Sequence, residues 1–264
     1  MKIGFIGLGN MGAPMAANLI KAGSAADAAS GQDAVITMLP NGEILRSVYA
    51  EIVPAGAKGS VFIDCSTVDV DSAKAAHELA AAHGLLSVDA PVSGGVGGAA
   101  AGTLTFMAGG SDEAFGRAAP LFEIMGQKAV HCGAAGAGQS AKICNNMLLG
   151  ISMIGTCEAF ALAEKLELSA QSLFDVVSTS SGSCWSVNTY CPVPGIGPQS
   201  PADNGYKPGF AAELMLKDLK LSQQAADSVS AQTPMGARAT ELYDAFVAGE
   251  GKGMDFSAMI ERLK

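Results

Sequence analysis

The chain has 264 residues, 49% of them hydrophobic and 16% charged, which predicts a soluble globular protein of one or two domains with an ample core. The formal net charge is −9 without any cluster of Lys or Arg, which makes nucleic acids and anionic membranes poor candidate partners. The six cysteines and three histidines show no CxxC pair and no zinc-ligand spacing. We therefore expect no metal site, reduced cysteines and a cytoplasmic location.

A glycine-rich motif follows the first predicted strand. Residues 2–7 predict a short apolar strand, residues 13–21 predict a helix, and G-x-G-x-x-G lies between them. In this motif the first glycine permits a tight turn, the second lets a pyrophosphate approach the backbone, and the third lets helix and strand pack closely. The N–H groups that open the helix can bind phosphate. The context predicts a doubly wound Rossmann-type α/β domain, with cofactor-binding residues Gly7, Leu8, Gly9, Asn10, Met11 and Gly12.

The second strand of such a domain has no counterpart in this sequence. In dinucleotide-binding folds that strand ends, about 20 positions on, in an acidic residue that binds the ribose. Here residues 24–30 form an Ala/Ser-rich helical pattern, Asp27 has no strand before it, and Asp33 begins the next strand instead of ending one. Either a strand–helix unit is deleted after Gly23, or the sequence as given skips a segment. We expect the second, because deletion of an inner strand would expose a sheet edge.

Two later strands end in residues that would face a cofactor. The apolar strand 34–39 stops at Pro40, and a strand from residue 60 ends in the hydroxyl side chains of Ser66 and Thr67. Ligands of open parallel α/β sheets bind outside the carboxyl ends of the strands. We therefore predict that Leu39, Pro40 and Thr67 flank the cofactor. The helix predicted next, over 71–83, carries His77 and His83, which we expect to be exposed and without a role.

A second glycine-rich loop follows the predicted strand 85–89. It contains four glycines, at 94, 95, 97 and 98, beside Ser93. Successive N–H groups of such a loop can bind a carboxylate, and a serine hydroxyl can donate a further hydrogen bond. A flexible turn is the alternative interpretation. Because the loop follows a strand at the ligand side of the sheet, we predict that Ser93, Gly94 and Gly95 bind substrate.

The second half of the chain predicts an all-helical domain. We place a dinucleotide-binding domain at 1–135 and a helical domain at 136–264, joined by a long helix over about 138–167. The helix is apolar on all sides beyond Asn146, as buried helices are. Glycines and an acidic residue interrupt this apolar run, so we do not expect it to span a membrane.

Lys142 and Asn146 stand four residues apart near the start of the long helix and therefore share one face of it. Pockets favour the junction of two domains, which is where the sequence puts this face. A solvated lysine and a polar filler are the alternative. The only tryptophan, Trp185, lies with Tyr190 on a Pro/Gly-rich stretch, where the two rings could wall a small pocket or pack in the core.

Four motifs, in order along the chain, resemble those of the β-hydroxyacid dehydrogenase family. They are the cofactor motif at 5–16, the substrate loop at 89–95 continuing to 102–104, the catalytic helix at 136–146, and the Leu-Lys-Asp-Leu motif at 216–219. The run 184–195 resembles the 3-hydroxyisobutyrate dehydrogenase branch. The resemblance implies NAD as cofactor, with NADP not excluded, because the residue that usually selects between them is missing.

The resemblance also implies a role for each candidate residue. Lys142 would be the general acid/base on the substrate oxygen. Asn146 would orient the substrate, while Ser93 and the neighbouring glycine amides would hold its carboxylate. Lys217, in the fourth motif, would complete the nicotinamide side, and the substrate would be covered by Trp185 and Tyr190.

The implied reaction is oxidation of a 3-hydroxy acid to its semialdehyde, giving methylmalonate semialdehyde from 3-hydroxyisobutyrate in valine breakdown. A glyoxylate or succinic semialdehyde reductase of the same family is an alternative. An inactive cofactor-binding protein becomes plausible if the gap after Gly23 is a true deletion, and a structural dimerisation protein would explain only the apolar helix. We expect a homodimer or homotetramer with a small-molecule substrate.

Overall fold

The computed structural model describes residues 1–21 and 31–263, so the Ala/Ser-rich piece 24–30 and Asp27 lie outside the described residues. The chain divides into two compact units, Met1–Lys142 and Ile143–Lys264. The division comes later than the predicted boundary at 135/136, because the first turn of the long helix belongs to the first unit.

The first unit is an α/β domain, as predicted. Its described strands are β1 Ile3–Ile6, β2 Ala34–Thr37, β3 Val61–Asp64, β4 Leu86–Asp89, β5 Val92–Ser93, β6 Leu104–Gly109 and β7 Gly126–Gly133. Its described helices are α1 Gly12–Lys21, α2 Gly42–Ile52, α3 Val70–Ala82, α4 Gly95–Ala101 and α5 Asp112–Met125.

The described strands form one sheet in the order β1-β2-β3-β4-β6-β5, with β7 paired to β6. Strands β1 to β4 are parallel in register, whereas β6 is antiparallel to β4 and β5. The carboxyl ends of β1 to β4 therefore share one edge of the sheet, where ligands of such folds bind. Within the described residues no strand pairs with the outer side of β1, which is the place that the missing second strand would occupy.

The parallel strands are buried on both faces, as continuous apolar runs predict. On one face Val35 and Phe62 pack with residues of α2 and α3 such as Tyr49. On the other face the alternate residues, Ile36 and Ile63, belong to the core that includes α1 and α5. This sandwich of helices on both faces fixes the strand ends, and thus the loops that follow them.

The second unit is helical in its described part. It contains most of α6 (Ala137–Lys165), then α7 Ala170–Val177, α8 Trp185–Asn188, α9 Ala212–Ser228, α10 Pro234–Ala248 and α11 Met259–Leu263. Its core joins Met153 and Phe160 of α6 to Leu219 of α9 and Tyr243 of α10. Helix α10 begins at Pro234, because a proline in the first turn of a helix lacks only an N–H that would have no partner there.

Helix α6 has the length and apolar composition of a membrane span, although the sequence suggested that its run is too interrupted. Half of its most apolar window is nevertheless buried inside the protein, as in a core helix. Gly150 illustrates this packing, because a Cβ there would lie 3.1 Å from Leu219 and 3.2 Å from Met215 of α9.

Candidate active site

The loop between β1 and α1 has the shape that a dinucleotide pyrophosphate requires. Gly7 has φ +98°, and a Cβ at this residue would collide with the Met38 carbonyl oxygen. A Cβ at Gly12 would collide with the Gly7 carbonyl oxygen in the same way. At Gly9, in contrast, no atom of the described residues lies within 4 Å of the added Cβ at the start of α1. The residues present therefore fit the phosphates of a dinucleotide at the predicted place.

Next to this loop, a buried carboxylate holds the end of β2. The Leu39 N–H donates to Ser66 Oγ at 2.7 Å, and Ser66 Oγ in turn donates to Asp64 Oδ1. Thr37 Oγ1 donates to the same oxygen at 2.7 Å. The predicted cofactor residues Leu39 and Pro40 are thus held in place by Asp64 and Ser66, which the sequence analysis missed. The only available signal was an Asp-x-Ser sequence at a strand end.

Burial raises the pKa of Asp64 to about 6, although hydrogen bonds from Ser66 and Thr37 lower it. Its second oxygen, Oδ2, has no hydrogen-bond partner among the residues that the structure describes. Because the folded pKa lies above the unfolded value near 3.8, the folded protein should lose stability as pH rises from about 4 to above 6. The loss is about 3 kcal/mol for a shift of this size.

We expect this loss to be absent from Asp64→Asn, which cannot titrate. The free energy of unfolding of the variant minus that of the wild type should therefore increase by about 3 kcal/mol between pH 4 and pH 8. Urea unfolding of both proteins across this range measures the difference. Parallel curves would contradict a raised pKa at this carboxyl.

The structure describes no acid at the ribose position. Asp33 Oδ2 accepts the Lys2 N–H at 2.8 Å, and the Asp33 N–H donates to the Lys2 carbonyl at 2.9 Å, both at the amino end of the sheet. This is the edge opposite the cofactor loop, as the sequence indicated for Asp33. Among the residues that the structure describes, therefore, none lies at the position that separates NAD from NADP.

The predicted substrate loop is more ordered than a flexible turn. Val92 and Ser93 form the short strand β5, and helix α4 starts at Gly95 after Gly94, whose φ is +136°. The first N–H groups of a helix have no partner within it, so they can bind an anion. The half-buried Ser93 therefore lies directly before a helix start, and its binding of a carboxylate stays a prediction.

Lys142 reaches this substrate loop. Its Nζ donates to the Val92 carbonyl oxygen at 2.8 Å, and the residue is only 7% exposed. The alternative of a solvated lysine is therefore wrong. The ammonium lies beside the residue that precedes Ser93, so the first unit brings Lys142 together with the loop predicted to bind substrate.

Asn146 lies one turn further along α6, in the second unit, and is also buried. Its Nδ2 donates to Asp218 Oδ2, and its Oδ1 accepts a hydrogen bond from Asn145 at 2.9 Å. Lys217 Nζ lies 3.5 Å from Asp218 Oδ1. Asp218 thus links the two predicted residues Asn146 and Lys217, a connection that the sequence did not reveal.

Trp185 and Tyr190 are stacked on each other, with ring centroids 4.8 Å apart. Tyr190 also stacks on Phe256 at 5.4 Å and donates its hydroxyl to the buried Asp255 at 2.9 Å. Burial raises the pKa of Tyr190, so its hydroxyl stays protonated. Trp185 remains 48% exposed. Tyr190 therefore packs into the core and supports the accessible ring of Trp185, whose place in the wall of a pocket stays a prediction.

The expectation that His77 is exposed is wrong. Its Nε2 lies 2.9 Å from Asp89 Oδ1, its Nδ1 contacts Ser87 Oγ, and its side chain is 13% exposed. His83 is exposed, as expected. The alanine-rich pattern of α3 hid this contact, because the partners of His77 lie on β4. Among the described residues no group of three or more His, Cys, Asp or Glu could hold a metal ion.

Two family models match consecutive parts of the chain. The NAD-binding domain of 6-phosphogluconate dehydrogenase matches residues 2–26 and 22–133, and the NAD-binding domain of NADP-dependent 3-hydroxyisobutyrate dehydrogenase matches residues 136–263. A 3-hydroxyisobutyrate dehydrogenase of Pseudomonas aeruginosa is 47% identical over 97% of this chain and 96% of its own length. The chain belongs to the β-hydroxyacid dehydrogenase family.

Other similar members of the family are named for two different substrates. A solved structure of Mycobacterium tuberculosis 3-hydroxyisobutyrate dehydrogenase with L-serine has a TM-score of 0.96 and 48% identity, covering 100% of this chain and 99% of that chain. An NAD-dependent L-serine dehydrogenase of Pseudomonas aeruginosa is 44% identical over 98% of this chain and 96% of its own length. The chain is an oxidoreductase of this family that uses NAD(P), as the shape of the glycine loop indicates.

The comparisons also locate the missing segment of this β-hydroxyacid dehydrogenase. The alignment with the Pseudomonas 3-hydroxyisobutyrate dehydrogenase extends over 287 positions, whereas the chain has 264 residues, so at least 23 positions hold residues of the relative only. The first family model matches in two pieces that meet at residues 22–26. This is the place where the sequence lacks a strand–helix unit.

Proposed function

We propose that this β-hydroxyacid dehydrogenase oxidises 3-hydroxyisobutyrate to methylmalonate semialdehyde with NAD, a step of valine breakdown. The observation that carries the proposal is the contact between Lys142 Nζ and the Val92 carbonyl, 2.8 Å long, next to Ser93. It puts a buried amine beside a loop suited to a carboxylate, which are the two groups that a 3-hydroxy acid needs. Relatives of that name at 47% and 48% identity support this substrate.

Each residue of the proposed site has a simple task. The bound cofactor supplies the hydride acceptor. Lys142 takes the proton from the substrate hydroxyl during oxidation and returns it during reduction. Ser93 and the amides of Gly94 and Gly95 bind the carboxylate, while the amide of Asn146, oriented by its hydrogen bond to Asp218, aligns the substrate.

The remaining proposed contacts concern the cofactor and the substrate's side group. Gly7 to Gly12 would bind the pyrophosphate, and Leu39, Pro40 and Thr67 would lie along the cofactor. Lys217 would act on the nicotinamide side. Trp185, supported by Tyr190, would cover the methyl group of the substrate with its exposed ring.

L-Serine is a second candidate substrate, because an L-serine dehydrogenase is 44% identical to this chain. It differs from 3-hydroxyisobutyrate in bearing an ammonium group in place of the methyl group. An aromatic ring packs against an apolar methyl group at no cost in hydration, whereas an ammonium group must lose water there, and its attraction to the ring face offsets only part of that cost. We therefore expect kcat/KM to be at least about 10-fold higher for 3-hydroxyisobutyrate.

Initial rates of NADH formation with both substrates test this order, and the same assay run with NADP tests the choice of cofactor. A higher kcat/KM for L-serine would make the protein a serine dehydrogenase. Faster reduction of glyoxylate or succinic semialdehyde would favour the reductase alternative. Turnover only with NADP would support the same reaction with NADP, instead of NAD, as the cofactor.

The intact mass of the same sample distinguishes the two explanations of the gap after Gly23. A mass of 26.5 kDa would show that the strand–helix unit is deleted, and little or no activity would then support an inactive cofactor-binding protein. A larger mass with turnover would show that the sequence as given skips a segment. Light scattering on this sample tests the predicted homodimer or homotetramer, and the cytoplasmic location stays a prediction.

A further inference from the structure

Gln139 lies in the first turn of α6, with 0% exposure, and uses both ends of its amide. Its Nε2 donates to the Ser66 carbonyl at 2.8 Å, while its Oε1 accepts the Val68 N–H at 3.1 Å. These two backbone groups lie on either side of Thr67, in the loop after β3. The Gln139 side chain therefore holds the loop of Thr67, a proposed cofactor contact, by hydrogen bonds on both sides of that residue.

The backbone of the same turn is bound to a buried carboxylate. Asp89 Oδ2 accepts the Gln139 N–H at 2.9 Å, and Asp89 Oδ1 accepts the Gly136 N–H at 2.8 Å. An anion at a helix N-terminus accepts hydrogen bonds from the unpaired N–H groups and interacts favourably with the helix dipole. His77, 2.9 Å from Oδ1, contacts the carboxylate from the other side. The start of α6 is thus fixed to the carboxyl end of β4.

The helix start also packs directly on the strand ends. A Cβ on Gly138 would collide with the carbonyl oxygens of Met107 and Asp89. This contact leaves little space in which the first turn of α6 could shift. The first turn of α6, which carries Gln139, thus lies directly on the strand ends, three residues before Lys142.

We propose that Gln139 is a positioning residue, which sets the distance between the proposed general acid/base Lys142 and the loops that flank the cofactor; this rests on the proposed function. The hydrogen bonds run from the Leu39 N–H to Ser66, from the Ser66 carbonyl to Gln139, and along one turn of helix to Lys142. An amide supplies both the donor for the Ser66 carbonyl and the acceptor for the Val68 N–H at every pH.

The test uses two variants of similar size. Gln139→Met removes both hydrogen bonds at every pH. Gln139→Glu keeps the acceptor, and its carboxyl group can donate to the Ser66 carbonyl only when protonated. Burial against a carbonyl oxygen should raise the pKa of this introduced carboxyl, so that it titrates within the assay range.

We expect kcat of both variants to fall about 10- to 100-fold at pH 8, because small misplacements of a catalytic group cost about this much. The cofactor Kd should change less than about 3-fold, since Gly7 to Gly12 are untouched. The ratio of variant to wild-type kcat should recover toward pH 5.5 for Gln139→Glu and stay low for Gln139→Met. Dividing by the wild type removes the titration of the surrounding groups, which are Asp64, Lys74, His77, Asp89 and Lys142.

Ser140→Ala is the matched control, because Ser140 is exposed on the same turn and bonds only the Gly136 carbonyl, at 3.0 Å. It should keep wild-type kcat. A kcat within 2-fold of the wild type for both Gln139 variants would overturn the proposal. Loss of cofactor binding together with loss of kcat would also overturn the proposal and indicate a purely structural role. The same conclusion would follow if the ratio of variant to wild-type kcat changed with pH in the same way for Gln139→Glu and Gln139→Met.

Amide hydrogen exchange of residues 137–146 gives a readout that does not depend on turnover. Both Gln139 variants should exchange at least about 10-fold faster there than the wild type, while Ser140→Ala should not. Unchanged exchange would overturn the positioning role. A wild-type protein that oxidises none of the hydroxy acids would refute the proposed function instead, and the exchange result would still decide what Gln139 does.

Discussion

Replacement of Lys142 by alanine is expected to lower kcat by about 10²- to 10⁴-fold, the usual contribution of a general acid/base. The structure supports this magnitude, because the lysine is 7% exposed and its Nζ lies at the substrate loop, 2.8 Å from the Val92 carbonyl. Water would then have to accept the proton of the substrate hydroxyl in place of the amine. Initial rates with 3-hydroxyisobutyrate and NAD measure the loss.

Cofactor affinity should persist in Lys142→Ala, because the glycine loop between β1 and α1 does not involve this residue. Titration of the variant with NAD, followed by fluorescence, checks this point. Lys165→Ala is the control, since Lys165 is an exposed lysine in the last turn of the same helix and should retain full activity. Near-normal turnover in Lys142→Ala would remove Lys142 from the mechanism.

The sequence predicted those site residues that act through local patterns. The spacing of Gly7, Gly9 and Gly12 between a strand and a helix defines a turn of one shape, and the structure has that turn. Lys142 and Asn146 share a helix face by their spacing, and both are buried in the structure. Such features depend on a few neighbouring residues, which is why a single sequence can show them.

The contacts that hold these residues in place were not predictable in the same way. Gln139 lies 73 positions from Ser66, and Asp89 lies 47 from Gly136, so their pairing depends on the order of strands in the sheet. His77 was placed on an exposed face, because its pairing with Asp89 and Ser87 depends on how α3 packs on β4. Polar residues in an alanine-rich helix carry no local signal of such a partner.

Tertiary contacts also decide the structure at two places where local sequence patterns carry little information. The glycines after Ser93 favour a loop by propensity, yet Gly95 begins a seven-residue helix, because the packing of Ala99 in the core overrides that weak preference. The chain divides into its two units after Lys142, because Asp89 and Gln139 bind the first turn of α6 to the first unit, and the predicted domain boundary at 135/136 stays a prediction. Tertiary contacts decided both cases.

Substitutions at two glycines of the cofactor loop should affect cofactor binding and stability separately. Gly9→Ala is expected to raise the NAD Kd about 10-fold or more with little change in melting temperature, because its Cβ meets nothing within 4 Å but would occupy the approach of the pyrophosphate. Gly12→Ala should lower stability by about 1–3 kcal/mol or more, because its Cβ collides with the Gly7 carbonyl. Thermal unfolding and NAD titration measure the two effects.

Gly116→Ala is the control for both substitutions. Gly116 is an exposed residue of α5 with nothing within 4 Å of an added Cβ, so alanine there should leave the NAD Kd unchanged. It should also raise stability by about 0.5–1 kcal/mol, since glycine weakens a helix interior. If Gly9→Ala bound NAD as tightly as Gly116→Ala, the pyrophosphate would not lie over this loop. The assignment of the cofactor to the carboxyl end of β1 would then fail, while the fold would stand.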